Sequence, residues 1–211
     1  MVGFDPNNTT SGYDNQLNAM YYNGLVWNCY GIEVCPDIAK SWKYTADGKA
    51  LVFELNNNVK WQKGVKDGVV TAKDVKFSFD KIMGKVEGFT QSERIGWMTN
   101  YVTSIDVVDD FTVRFNVVRP AAILPVMMTV GFGSVIPAGT TYDQMKTSKI
   151  PLGSGPFMIK EHVRGSIYKV VRNPDYFKPG LPYLDGVDMV IIGDANAREA
   201  AVLTGVIEIF R

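Results

Sequence analysis

Between Ser41 and Leu55 the sequence is written as a hairpin. Ser41-Trp42-Lys43-Tyr44 and Ala50-Leu51-Val52-Phe53-Glu54-Leu55 are strand-like runs, and Asp47-Gly48 between them supplies the positive-φ turn that antiparallel pairing needs. A second hairpin runs from Tyr101 to Val108 and from Phe111 to Val118, turning at Asp109-Asp110, with Val113, Phe115 and Val117 alternating against Arg114 and Asn116. Pro120 closes it. Between the hairpins, Thr71 and Asp74 form a capping pair ahead of Val75, Phe79, Ile82 and Met83, which share one helical face and predict a helix from Ala72 to about Met83. Two hairpins around one capped helix require an α/β layered core.

The flanking segments carry a different pattern. Leu17, Met20, Tyr21 and Leu25 recur at helical spacing and predict a helix from about Tyr13 to Gly24, followed by a short strand at Leu25-Val26-Trp27. Cys29 and Cys35 bracket a tight turn, which leaves two readings open: a disulfide, or two half-buried thiols. Val59-Lys60-Trp61 is a further extended piece. A short apolar helix is expected after Pro120, broken near Gly131, and residues 137–151 read as loop with one helical turn. Gly153-Ser154-Gly155-Pro156 introduces strands at Phe157 to Lys160 and Ile167 to Val171, with another at Val187 to Ile192. The glycines of that run are expected to provide positive φ and close backbone approach. Asp194 caps a helix that runs to Thr204, Gly205 stops it, and Val206 to Phe210 is expected to be a strand.

Several function classes find no support. The 22 basic and 22 acidic residues cancel, so no overall field favours nucleic acid or an anionic membrane. No run approaches the roughly 20 apolar residues of a membrane span, and Met1-Val2-Gly3-Phe4-Asp5-Pro6 has neither the charged nor the apolar region of an export signal. Ser154 lacks the spacing of a nucleophile elbow and a partner base. His162 reads as a surface or edge residue of a strand. Asp106, Asp109, Asp110, Asp185 and Asp188 read as turn residues without calcium-loop spacing, and two cysteines without nearby histidines do not fill a zinc site. No catalytic constellation, metal site or cofactor is expected. The 12% aromatic content suits a surface that holds ligands through flat amphipathic side chains.

Taken in order, Pro36-Asp37-Ile38-Ala39-Lys40-Ser41-Trp42, Asp47-Gly48, Val52-Phe53-Glu54-Leu55, Val59-Lys60-Trp61 and Thr71-Ala72-Lys73-Asp74-Val75-Lys76-Phe77-Ser78-Phe79 resemble the extracellular solute-binding family 5. The resemblance continues through Val108 to Phe115, Gly153 to Phe157, Arg172-Asn173-Pro174-Asp175-Tyr176-Phe177, Leu184 to Val187 and Ala200 to Ile209. It covers nearly the whole chain in the family's order. It implies a lobe of the periplasmic-binding-protein type, α/β with a mixed sheet and a strand-rich inserted subdomain. The expected division is 1–35 plus 150–211 for the ligand-side subdomain and 36–149 for the outer insert. Members are longer than this chain and add a second lobe, so an incomplete first lobe is expected.

The resemblance further implies non-catalytic capture of a peptide or other small polar solute outside the cytoplasm, in a monomer that docks on an ABC permease. The location is periplasmic or extracellular, with a lipid anchor as an option for the natural protein. The first-lobe cleft would be lined by Tyr13 and Asn15, Arg94 and Trp97, and Phe132, Gly133 and Ser134. Arg94 and Trp97, three apart, offer a guanidinium for a carboxylate and an indole for apolar packing. Some nickel-chelate binders carry a similar Arg-x-x-Trp, but Gly133 stands where those members place a further arginine. A ligand-sensing module on the same fold is the other alternative.

Overall fold

A computed structural model describes residues 5–9, 12–148, 150–163 and 165–208. The two expected hairpins are present and join: β3 (Ala39–Tyr44), β4 (Ala50–Leu55), β5 (Val102–Asp109) and β6 (Thr112–Val117) form one antiparallel sheet in the order β3-β4-β6-β5. Gly48 takes φ 68° at the first turn. Alternation puts Leu51, Phe53, Leu55, Val113 and Phe115 into the core. The helix α2 (Ala72–Ile82) packs there, with Phe79 edge-on to Phe115 at 5.1 Å and Phe115 edge-on to Phe53 at 5.4 Å. At its N-terminus the Asp74 carboxylate accepts from the Thr71 N–H at 2.8 Å.

The second sheet joins β7 (Phe157–Val163), β8 (Ile167–Arg172) and β9 (Gly186–Val190) in antiparallel order. Phe157, Tyr168 and Val170 of that sheet form a separate buried cluster with Leu17, Tyr21 and Tyr22 around α1 (Gly12–Tyr21). A two-stranded ribbon, β1 (Val26–Asn28) with β2 (Val34–Pro36), carries the Cys29–Cys35 disulfide, whose Cα atoms are 6.0 Å apart. Of the two readings left open for these cysteines, the disulfide holds. Short helices α3 (Ile123–Met127), α4 (Tyr142–Thr147) and α5 (Ala195–Leu203) complete the elements. Every ladder among the described residues is antiparallel. Turns link β1 to β2, β3 to β4, β5 to β6 and β7 to β8, which makes those pairs antiparallel, and β6 also runs antiparallel to β4 after the intervening α2 and β5, so no parallel pair of the expected mixed sheet occurs among the described residues.

Four local expectations are corrected. Helix α1 ends at Tyr21 rather than Gly24, because the Asn23 carbonyl accepts from Val135 and the Gly24 N–H turns to the Asp37 carboxylate at 3.2 Å. Val206 and Ile207 are not strand: both N–H groups donate to the Ala201 carbonyl, at 2.8 and 3.2 Å, and cap α5 with Gly205 at φ 70°. Ile209 and Phe210 lie outside the described residues. Gly153 and Gly155 do not use positive φ; they serve close approach alone, since a Cβ on Gly155 would stand 2.6 Å from the Met20 carbonyl oxygen. Asp106 and Asp188 lie within strands β5 and β9 rather than in turns.

Candidate functional site

Three segments distant in sequence meet beside α2. The loop at residues 5–9 lies against the turn at Ser92 and the 3-10 turn Gly131–Gly133. Asn7, fully buried, joins them: its Nδ2 donates to the carbonyls of Phe132 (2.7 Å) and Ser134 (3.1 Å), and its own carbonyl accepts from Ser92 Oγ (2.6 Å). Its Oδ1 accepts from Lys81 Nζ at 3.0 Å, and the same ammonium is paired with Asp5 at 2.8 Å. Burial pulls the Lys81 ammonium below its usual range, and Asp5 opposes that shift.

This framework carries most of the expected cleft residues. Arg94 is exposed, and its guanidinium lies over the Phe132 ring, 5.6 Å from the centroid. Trp97 is the second residue of the 3-10 segment Gly96–Asn100; it is half-buried, donates from Nε1 to the Arg94 carbonyl at 3.0 Å and meets Tyr101 edge-on at 5.9 Å. Arg94 and Trp97 are thus joined through main chain, with their side chains turned to different rings. Gly133 is buried, and a Cβ there would sit 2.9 Å from the Met128 carbonyl oxygen, so an arginine does not fit without backbone movement. Ser134 is buried, donates its hydroxyl to the Gly131 carbonyl at 2.6 Å and lines a neighbouring concavity. Asn15 is half-buried on α1, and its Oδ1 has no hydrogen-bond partner among the described residues. The side chain of Tyr13 lies outside the described residues.

A concavity of about 540 Å³ lies beside this framework; Ser134 of the expected cleft residues lines it, while the rest of its wall was not anticipated. Its wall includes Tyr22, Asn23, Trp27, Asp37, Tyr176 and Lys178. Lys178 Nζ contacts the buried Asp37 carboxylate at 2.6 Å, and lies 5.1 Å from the Trp27 ring centroid and 5.5 Å from that of Phe177. Asn23 Nδ2 donates to both Asp37 oxygens at 2.9 Å. Burial raises the Asp37 carboxyl, and Lys178, Asn23 and Gly24 pull it back. Asp37 and Lys178 both stand within or beside the quoted family blocks, but nothing in linear order pairs positions so far apart.

Among the described residues, a single group could gather three metal-ligating side chains: Cys29, Glu33 and Cys35, whose sulfurs are committed to the disulfide. His162 is exposed on β7 and stacks on Tyr168 at 4.3 Å, as expected of a surface strand residue. No helix among the described residues is long and apolar enough to cross a membrane.

The chain belongs to the bacterial extracellular solute-binding proteins, family 5 (Middle), whose model matches residues 33–211. It is 29% identical to di/tripeptide-binding protein 2 of Pseudomonas aeruginosa over 93% of this chain and 40% of the relative. It is also 30% identical to the oligopeptide-binding protein AppA of Bacillus subtilis over 96% of this chain and 37% of the relative. The fold superposes on the periplasmic binding protein DppA of Helicobacter pylori in complex with the peptide STSA, with TM-score 0.81 and 28% identity over 97% of this chain and 43% of that one. NikA of Brucella suis in complex with Fe(III)-EDTA gives TM-score 0.78 and 26% identity over 97% and 40%. The chain therefore spans about 40% of the length of the curated relatives it matches. These relatives carry the names of binding proteins, and the expected family and lobe fold hold.

Proposed function

We propose that the chain is the first-lobe part of an extracytoplasmic solute-binding protein that captures peptides or similar small polar solutes without catalysis and hands them to an ABC permease. The observation that carries this reading is the Arg94–Phe132 pair with half-buried Trp97 beside it, held on one buried framework. Arg94 supplies a fork for a peptide carboxylate, and the rings supply apolar contact that tolerates varied side chains. On this reading residues 36–149 form the outer insert and the protein works as a monomer. A second lobe closes on the solute, with ligand contacts to both lobes favouring the closed state.

The test is isothermal titration of the protein at its full natural length with the dipeptide Met-Leu, the tetrapeptide Ser-Thr-Ser-Ala and Fe(III)-EDTA. Peptide binding that Trp97→Ala weakens by more than about 1 kcal/mol supports the reading, that being the scale of a buried aromatic anchor. Unchanged affinity in a folded variant removes Trp97 from the site. Binding of the chelate alone would transfer the proposal to metal complexes, against which the crowded backbone at Gly133 argues.

A further inference from the structure

We propose that Asn7 is the positioning residue of this cleft, setting the register between the Arg94 turn and the Phe132 turn from a buried anchor on α2. The inference rests on the cleft reading above. Its basis is a complete set of partners. The Asn7 N–H donates to Asp5 Oδ1 at 3.0 Å, its carbonyl accepts from Ser92, its Oδ1 accepts from Lys81, and its Nδ2 divides between the carbonyls of Phe132 and Ser134. An asparagine with every polar group engaged has one conformation available, which is what a spacer between two loops requires.

Each loop has anchors of its own: the Val135 N–H donates to the Asn23 carbonyl at 2.9 Å beside the Phe132 turn, and Ile95 and Met98 are buried beside the Arg94 turn; Asn7 is what joins one loop to the other. Gly131–Gly133 is a single 3-10 turn, and the chain at Ser92 is held by main-chain contact with Ile82 at 2.9 Å and by the Ser92 hydroxyl. That hydroxyl, which donates to Asn7, also accepts from the Arg94 N–H at 3.3 Å. The Asn7 side-chain amide therefore reaches the Phe132 turn directly, and its main-chain carbonyl reaches the Arg94 turn through Ser92 Oγ, so one residue links the backbone of both partners in the Arg94–Phe132 contact. Lys81 closes the system at the other end: it is fully buried on α2, so the loop at residues 5–9 is referenced to the helix rather than to solvent. Recognition by aromatic and guanidinium groups depends on their separation to within a fraction of an ångström. Asn7 sets that separation without facing the solute.

The discriminating variant is Asn7→Asp, which keeps the size and the acceptor toward Lys81 but removes both donations from Nδ2. In the protein at full natural length, hydrogen exchange should accelerate at least tenfold at Gly133, Val135, Gly96 and Met98, while the central strands β4 and β6 keep their protection. Affinity for whichever of Met-Leu and Ser-Thr-Ser-Ala binds the parent should fall at least tenfold. Phe53→Leu, in the sheet core, is the control for general destabilisation and should leave both readouts at parent values. Exchange at the two turns equal to the parent's, or raised equally in Asn7→Asp and Phe53→Leu, overturns the inference. Trp97→Ala separates the two proposals. If it leaves peptide affinity unchanged, the cleft reading fails, whereas a loss in Trp97→Ala with parent exchange in Asn7→Asp sinks the role of Asn7 alone.

Discussion

Gly153→Ala should be among the most damaging single-methyl additions in this chain. Gly153 crosses α1 where the helix ends, and an added Cβ would fall inside the Tyr21 carbonyl oxygen, 2.8 Å from the Tyr21 carbonyl carbon and 3.0 Å from Tyr22 Cδ1. Ordinary contact lies near 3.5–4 Å, so main chain must separate by roughly 1.5 Å or more. The atoms that must move also make hydrogen bonds: Gly155 N–H donates to the Tyr21 carbonyl at 2.9 Å, and Gln62 N–H to the Gly153 carbonyl at 3.1 Å. Two such bonds contribute about 1 kcal/mol each and overpacking costs about 1–3 kcal/mol. The reduced freedom of the unfolded alanine chain returns about 0.4–1 kcal/mol. The net loss is about 3 kcal/mol, a fall in Tm on the order of 10 °C for a chain of this size. Gly193→Ala is the internal control, because nothing lies within 4 Å of its Cβ position and its φ is not positive; it should stay within about 0.5 kcal/mol. Urea unfolding followed by far-ultraviolet circular dichroism reads both variants. If Gly153→Ala unfolds within 1 kcal/mol of Gly193→Ala, by that rough scale, the close-approach account of the glycine run is wrong.

Asp74→Ala should cost about 3 kcal/mol in the same assay, because the buried carboxylate accepts from Thr71 N–H, Thr71 Oγ1, Lys66 Nζ and Ala138 N–H at 2.8–2.9 Å. A loss below 1 kcal/mol, small against that rough figure, would mean that other groups replace the carboxylate. Reducing the Cys29–Cys35 bridge, which closes a loop of sequence separation 6, should lower stability by about 2 kcal/mol or less, since the ribbon is peripheral. An unchanged thermal midpoint after reduction confirmed by thiol titration would show that the ribbon frays independently of the core. Burial raises the hydroxyl pKa values of Tyr21, Tyr22 and Tyr176 above the usual 10, so between that pH and their folded values the unfolded chain binds fewer protons than the native one. Stability should therefore fall as pH rises past 10, by up to about 1.4 kcal/mol per pH unit for each fully buried group. Tyrosinate absorbance should show these residues ionising only on unfolding; free titration in the folded state would contradict their burial.

What could be read in the chain was what repeats locally. Alternation in Val113, Phe115 and Val117 and the Asp47-Gly48 turn depend on neighbours a few residues away, and the structure realises both hairpins. The helical face of Val75, Phe79, Ile82 and Met83 is buried as its spacing requires. That spacing is silent about the adjacent face of α2, where Asp74, Ser78 and Lys81 are also buried because the 136–138 segment and the N-terminal loop cover it. Polar residues on a helix normally mark solvent. Here each has a partner supplied from more than 50 positions away, such as Ile136 for Ser78 at |i−j| 58, and no window of sequence contains that information.

The same limit explains the candidate site. Arg94, Trp97 and Phe132 enter through the family resemblance, which places a first-lobe cleft at their segments, and their residue types supply a guanidinium and aromatic rings of the kind that hold ligands. Gly133 packs its backbone against the Met128 carbonyl, and Ser134 donates to the Gly131 carbonyl while lining the concavity near Asp37, placements that only the folded chain displays. Asn7 was invisible for the same reason: an asparagine two positions after Asp5 reads as loop composition, and its significance lies in five partners that only the folded chain assembles. On the proposed reading, a binding surface that accepts varied solutes gains from this division. Residues that touch the solute can be few and exposed, while the energy that fixes their spacing is stored in buried hydrogen bonds where water cannot compete. Substitutions at the rim should therefore alter which solute is held, and substitutions at Asn7 should alter how firmly any solute is held.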